Sequence, residues 1–297
     1  MGATPTVLQE VVDVLSELVV VSEVPTAPRH LSPSSAAMFT QCPLRWKFRY
    51  RDRLPDPAGP AALVGTLAHR ILELLLNETP TDRTPERAKE LAGATWPEFA
   101  LSADYVGLEL DAEAQRRFKW QVWQAVTGLW QLEDPASVQV EATEQRVETT
   151  LGGVPFLGVV DRVDRAADGI IVTDYKSGRP PLANRHGEKL DQVLLYAGAV
   201  AATTGCQPRR ARLLYLGSTV IEADSTAARV EEAVGRLAGT WAALNEHHDA
   251  DDFPPQPGPL CGWCPFAGDC PVGQTELRRR LATGRLPAHA PAFRFVA

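Results

Sequence analysis

The chain has 297 residues, 44% of them hydrophobic, and 30 Lys and Arg against 37 Asp and Glu give it a net charge of -7. This composition fits a globular chain with a real core and argues against coating nucleic acid through overall charge, although a local basic groove stays open. No apolar run approaches the roughly 20 residues of a spanning helix, and the start lacks the basic region and cleavage site of a secretory signal, so a cytoplasmic protein is expected.

In chain order, "TVLQEVVDVLSELVVVSE" has apolar residues at helical spacing and predicts an amphipathic helix, packed on the body or offered to a partner. Ser32 before Pro33 reads as an N-cap with proline at the first helical position, opening a helix that ends near Cys42-Pro43. "RWKFRYRDR" then interleaves Arg45, Lys47, Arg49, Arg51 and Arg53 with Trp46, Phe48 and Tyr50. Charges for phosphates beside rings for bases suit a single nucleic-acid strand. The alternative is that the rings pack inward and the charges are only solvated.

"GTLAHRILELLLNE" predicts a helix with Leu67, Ile71, Leu74 and Leu75 on its buried side and His69 among them, and "EAQRRFKWQVWQAVTGLWQLE" predicts another. From Val138 the period becomes two, giving three or four antiparallel strands with turns at Gly152-Gly153 and Asp168-Gly169. A helix in "GEKLDQVLLYAGAVAATTG", a strand in "RARLLYLGS" and a helix in "ARVEEAVGRLAGTWAALNE" follow. Helices around a mixed sheet make an α/β sandwich the expected fold. The C-terminal "RRRLATGRLPAHAPAFRFVA" reads as mobile or loosely docked.

The segment "GVVDRVDRAADGIIVTDYKSG" has strong strand character, yet carries Asp161, Asp164, Asp174 and Lys176. Residues two apart in a strand share a face, so Asp174 and Lys176 point together. A hairpin would bring Asp161 beside Asp174, where paired carboxylates favour a hard divalent cation such as Mg²⁺ or Mn²⁺. The lysine could orient or help deprotonate a water and stabilise phosphate charge, which suits phosphodiester hydrolysis. "LDQVLLYAGAV" adds Gln192 and Tyr196 four apart on a helix face, and His69 could add an imidazole. A surface ion pair and turn-flanking charges are the simpler reading of the D-x-K triplet by itself.

"GTLAHRILE", "GVVDRVD", "VTDYKSG" and "QVLLY", in this order, resemble the motif series of RecB-type nucleases in the PD-(D/E)xK superfamily, over about Leu31 to Cys270. The resemblance implies a restriction-endonuclease-like core, His69, Asp161 and Asp174 as metal ligands, the main-chain carbonyl of Tyr175 as a further ligand, Lys176 as the catalytic lysine, and Gln192 and Tyr196 as the Q-x-x-x-Y pair.

Five cysteines is an odd count, which in a reducing compartment favours ligation over disulfides. Cys261, Cys264 and Cys270 form C-x2-C-x5-C, with Cys42 distant and Cys206 left over. Four thiolates could clasp the chain ends through Zn²⁺ or a 4Fe-4S cluster, and spacing alone leaves both open. Here "CPLRWKF" and "CGWCPFAGDCP" look like the iron-sulfur staple of the subgroup that includes the AddB nuclease and the CRISPR-associated RecB-like nucleases, which implies a 4Fe-4S cluster.

The expected organisation is an N-terminal helix and linker over 1–28, a nuclease domain over 29–275 closed by the four cysteines, and a basic tail over 276–297. The expected activity is a metal-dependent DNA exonuclease of repair or recombination, preferring single strands or unwound ends, with Arg45, Lys47, Arg49, Arg179 and Arg185 contacting DNA. The rivals are a nuclease-fold scaffold with weak or no catalysis and a CRISPR spacer-processing nuclease. No P-loop sequence is present, so unwinding would need a separate helicase.

Overall fold

Period-two stretches between Val138 and Lys176 become three consecutive antiparallel strands in the computed structural model, which describes residues 28–296: β1 (Gln139–Leu151), β2 (Val154–Ala166) and β3 (Gly169–Lys176). The turn between β2 and β3 is Ala167-Asp168, one residue earlier than expected, because Ala166 pairs with Gly169. A helix then returns the chain so that β4 (Arg210–Tyr215) lies parallel to β3, and β5 (Thr219–Asp224) closes the edge antiparallel to β4. The sheet order is therefore β1-β2-β3-β4-β5, mixed, as expected of an α/β core.

The helices are α1 (Pro33–Gln41), α2 (Pro60–Leu76), α3 (Pro85–Ala100), α4 (Ala112–Thr127), α5 (His186–Thr204), α6 (Ala227–Asp249) and α7 (Pro271–Ala282), with shorter turns between them. The Ser32 hydroxyl caps α1 by accepting from Ser35 N–H at 3.2 Å. On α2 the apolar stripe buries Leu67, Ile71, Leu72 and Leu75; Leu72 takes the fully buried place expected of Leu74, which is half-buried.

One apolar core unites α1, α5 and α6 with one side of the sheet, and a second unites α2, α3 and α4 with residues of the other side, including Tyr175 and Leu214. Burial of this kind, at about 25 cal/mol per Å² of apolar surface, is what holds the layers. Three of these elements went unread in the sequence: α3, which carries Pro97 in its interior but starts at a Thr84 hydroxyl cap, the short β5, and α7.

The C-terminal residues are not loosely docked. α7 runs through the expected boundary at 275, and Leu277, Leu286, Ala290 and Ala292 are buried in a small core of their own beside Cys261 and Cys264. The amphipathic helix expected over "TVLQEVVDVLSELVVVSE" lies outside the described residues.

Candidate functional site

The hairpin registers decide which acidic groups meet. Counting in step from the β1–β2 turn, Arg146 pairs with Val159 and Gln145 with Val160, which sets Glu144 opposite Asp161. The β2–β3 register pairs Arg162 with Thr173, so the next step sets Asp161 opposite Asp174. Three carboxylates thus lie side by side across three strands. Asp161 and Asp174 are almost fully buried.

α2 delivers His69 to the same place: its Nδ1 lies 3.4 Å from Asp161 Oδ2, and its ring meets the Tyr175 ring edge-on. Ligand atoms of His69, Glu144 and Asp161 all lie within 4.8 Å of one another. Asp161 Oδ2 also accepts the Tyr175 N–H at 2.6 Å, which fixes the carboxylate against β3.

On the other side of Asp174 lies a hydrogen-bonded chain. Lys176 Nζ is 2.7 Å from Asp174 Oδ2 and donates to Gln192 Oε1 at 3.0 Å, while Gln192 Nε2 donates to Asp174 Oδ1 at 2.7 Å and to Tyr196 Oη at 3.2 Å. The four-residue spacing of Gln192 and Tyr196 on α5 is what lets both face β3. Gly158 makes this possible: a Cβ there would stand 2.7 Å from Tyr196 Cε1.

The structure therefore brings together His69, Asp161, Asp174, Lys176, Gln192 and Tyr196, and adds Glu144, which the sequence reading missed. Glu144 has a left-handed backbone at φ 45°, a sparsely populated state for a residue with a side chain. Asp164, by contrast, points away from this centre into a buried network with Arg162, Arg212 and Glu133.

The electrostatics match crowded acids. Burial, with Asp161 beside it, pushes Glu144 up to about 7, and burial together with Asp161 pushes Asp174 up to about 6 despite Lys176. Burial favours neutral His69, yet the Asp161 carboxylate outweighs it and raises the imidazole. All three groups hold protons more tightly folded than unfolded, so their stabilisation is present at low pH and is lost as pH rises, for Asp174 and Glu144 through about 6 to 7. Metal-free protein is accordingly expected to melt several degrees lower at pH 8 than at pH 5, and excess Mn²⁺ to restore more of the difference at pH 8. Thermal denaturation in a chelator checks this; a melting temperature that stays flat or rises across the window contradicts it.

Oxygen donors with one imidazole are the donor set of a hard or borderline divalent ion, so these residues fit Mg²⁺ or Mn²⁺. The cysteines form a second grouping. Cys42, Cys261, Cys264 and Cys270 line one small apolar cavity, and Cys42, Cys261 and Cys270 accept backbone N–H groups from Gln256, Gly258 and Gly273. No three of the sulfurs lie within 4.8 Å of one another. Cys206 is exposed and apart.

The basic segment departs from the expected DNA-binding face. Its residues fold as a helical turn followed by a wide turn over Lys47–Arg51, so alternating residues do not share a face. Trp46 is buried, stacked on Phe253 and donating to Ser35 Oγ at 2.9 Å, and so is unavailable to a base. Lys47 pairs with Asp52, Arg49 with Asp56 and Arg51 with Asp251. Arg45 lines the cysteine cavity, where burial pushes the Cys264 thiol up and the Arg45 charge offsets this only in part. Arg179 and Arg185 are exposed and make no ion pair among the described residues.

Compared with known proteins, the chain matches the family profile described as the PD-(D/E)XK nuclease superfamily over residues 30–271. Among solved structures it is similar to a "Putative exonuclease" from Eubacterium rectale, with 13% identity, a TM-score of 0.43, and coverage of 86% of this chain and 90% of that one. A search of the curated proteins finds no match. A family match over well beyond half its length, on a mixed sheet that carries these acids, means that the chain belongs to the PD-(D/E)XK nuclease superfamily.

Proposed function

We propose that this protein is a Mg²⁺- or Mn²⁺-dependent deoxyribonuclease of the RecB type, acting as an exonuclease on single-stranded or unwound DNA ends in repair or recombination. The observation that carries this reading is one continuous site in which His69, Glu144 and Asp161 meet within 4.8 Å and Asp174 links on to Lys176, Gln192 and Tyr196. His69, Asp161 and Asp174 would hold the ion, with Glu144 beside them. The Tyr175 carbonyl is a further candidate, because the N–H and C=O of a strand residue leave the same edge, and its N–H already faces Asp161.

When bound, the divalent ion would neutralise phosphate charge and make water a better nucleophile. Lys176, held between Asp174 and Gln192, orients the attacking water and steadies the charge that develops on the phosphate. Gln192 braces the lysine, and Tyr196 in turn accepts from Gln192. Exposed Arg179 and Arg185, in the segment after β3, are the basic residues best placed for DNA phosphates; Lys47 and Arg49 would first have to leave their ion pairs.

The four cysteines would hold a 4Fe-4S cluster joining the segment after α1 to the C-terminal region. Supporting this, the sulfurs share one apolar cavity and three of them accept backbone N–H groups, as cluster-bound thiolates need. Zn²⁺ held by the same four thiolates is the second choice. Among the described residues no helix is long and apolar enough to cross a membrane. A separate helicase would supply unwound ends.

Anaerobically purified protein with Mn²⁺ or Mg²⁺ should degrade end-labelled linear single-stranded DNA and leave the circular form intact. Equal cutting of both would replace exonuclease with endonuclease, and no cleavage with either metal would overturn the enzymatic reading.

A further inference from the structure

Beyond the C-terminal end of β3 the chain forms an open cavity of about 470 Å³, within the size range of small-molecule sites. One edge is Ser177-Gly178, the two residues that follow Lys176. A second is α2 at Ala61 and Val64, one to two turns before His69. The cavity therefore opens beside the hydrolytic centre, at the carboxyl ends of the parallel pair β3 and β4.

Gly217, which lines the cavity, makes a close backbone crossing. Gly217 N–H donates to the Gly128 carbonyl at 3.1 Å, and a Cβ on Gly128 would stand 2.3 Å from Gly217 N, so only glycine permits the contact. This crossing ties the end of α4 to the β4–β5 turn and holds the cavity's two halves in fixed relation.

The lining chemistry is selective. It contains no charged side chain, so it does not suit a phosphate. It contains the indole of Trp120, 61% exposed although most of the tryptophans pack inward, and the amides of Gln121, Gln124 and Gln131. Among the described residues these three amides make no side-chain hydrogen bond. Each offers both donors and an acceptor, the pair of functions that reads a base edge. A flat aromatic platform beside unfilled amides, next to exposed Arg179 for the backbone, is complementary to a neutral heterocycle attached to a phosphodiester chain.

Resting on the nuclease reading, we propose that this cavity receives an unpaired nucleobase adjacent to the scissile phosphate, with Trp120 stacking on it and Gln121, Gln124 and Gln131 hydrogen-bonding its edge. A base can enter only when it is out of a duplex, so the cavity makes the site selective for single strands. Trp120 and the glutamines are binding residues; they take no part in the hydrolytic step.

The test compares binding of a dodecamer of thymidylate with the same strand built of abasic tetrahydrofuran nucleotides, by fluorescence anisotropy, in Ca²⁺ to suppress cleavage. The wild-type protein is expected to prefer the base-bearing strand by about 5- to 150-fold, the range of one stacked base. Trp120→Ala should remove most of the preference and Trp120→Phe should retain it; because the residue is largely exposed, neither should alter folding, which circular dichroism verifies. Equal binding of the two strands, failure to bind either, or a preference unchanged in the Trp120→Ala, Gln124→Ala double variant overturns the proposal. Cleavage of linear DNA in Mn²⁺ is scored separately: cleavage without base preference sinks the cavity alone, and base preference without cleavage sinks the nuclease reading alone.

Discussion

Replacing Lys176 with alanine is expected to slow DNA cleavage by about 10²- to 10⁴-fold while leaving DNA binding within a few-fold of wild type. The ammonium is held by two groups of the site: Asp174 at 2.7 Å and Gln192 at 3.0 Å. Its removal acts twice. The water loses the ammonium that orients it, and Asp174 loses the only cation that lowers its pKa through direct contact. With Asp161 still beside it, Asp174 should then titrate above its present value of about 6. The residual activity of the variant should therefore rise with pH over a range displaced upward from the wild type. A merely structural defect would lower activity equally at every pH, so the displacement separates the two accounts.

The largest expected loss of stability comes from Arg162→Met, at about 3–5 kcal/mol, because a buried ion network would lose its central cation. Arg162 is fully buried one residue beyond Asp161. Its Nε donates to Asp164 at 2.9 Å, and its Nη1 donates to Glu133 at 2.5 Å and to the Tyr175 hydroxyl at 2.9 Å. Burial opposes the guanidinium charge, but Tyr175, Asp164 and Glu133 outweigh it and hold Arg162 firmly protonated. Arg212 reaches Asp164 and Glu133 as well, so it would only partly compensate their charge. Arg162→Lys keeps the charge but not the planar fork and should fall between the two. Urea unfolding measures both variants; a loss under about 1 kcal/mol for the methionine variant would show that the network adds little. Since Tyr175 packs against His69 and its N–H holds Asp161, the same change should also loosen the metal site.

Local rules carried the sequence reading wherever neighbours along the chain settle the structure. The D-x-K spacing, the Gln192–Tyr196 pair and the Ser32 cap all depend on strand or helix periodicity, and the structure shows each geometry. Glu144 was legible too, though it was overlooked: counting back in register from the Gly152-Gly153 turn sets it opposite Asp161. What it needed was the assumption that the hairpin register runs unbroken to that point, and the bulge comes only beyond it, between Val140 and Ala142.

The basic segment resisted a local reading of its geometry because interleaved charges and rings look alike on any backbone. As a strand or loop it would have offered one cationic face, whereas on a helical path Trp46 turns into the core and the charges find Asp52, Asp56 and Asp251. Asp251 lies two hundred positions away, beyond the reach of any local pattern. The tail misled because its few apolar residues are too sparse to predict a core, yet with α7 they make one beside the cysteines. The cavity under Trp120 joins four separated stretches of chain and had no sequence signal except an exposed tryptophan among glutamines.

The central claim is that the acids joined by these hairpins, with Lys176, form a metal-activated phosphodiesterase. Its most direct test is the single-turnover rate of hydrolysis of end-labelled single-stranded DNA across a Mn²⁺ titration, with wild type and Lys176→Ala side by side. The account predicts hydrolysis by the wild type that depends on the metal and a variant that binds the same DNA but is slower by at least about a hundredfold at saturating Mn²⁺. Hydrolysis without added metal, or equal rates for the two proteins, would contradict it.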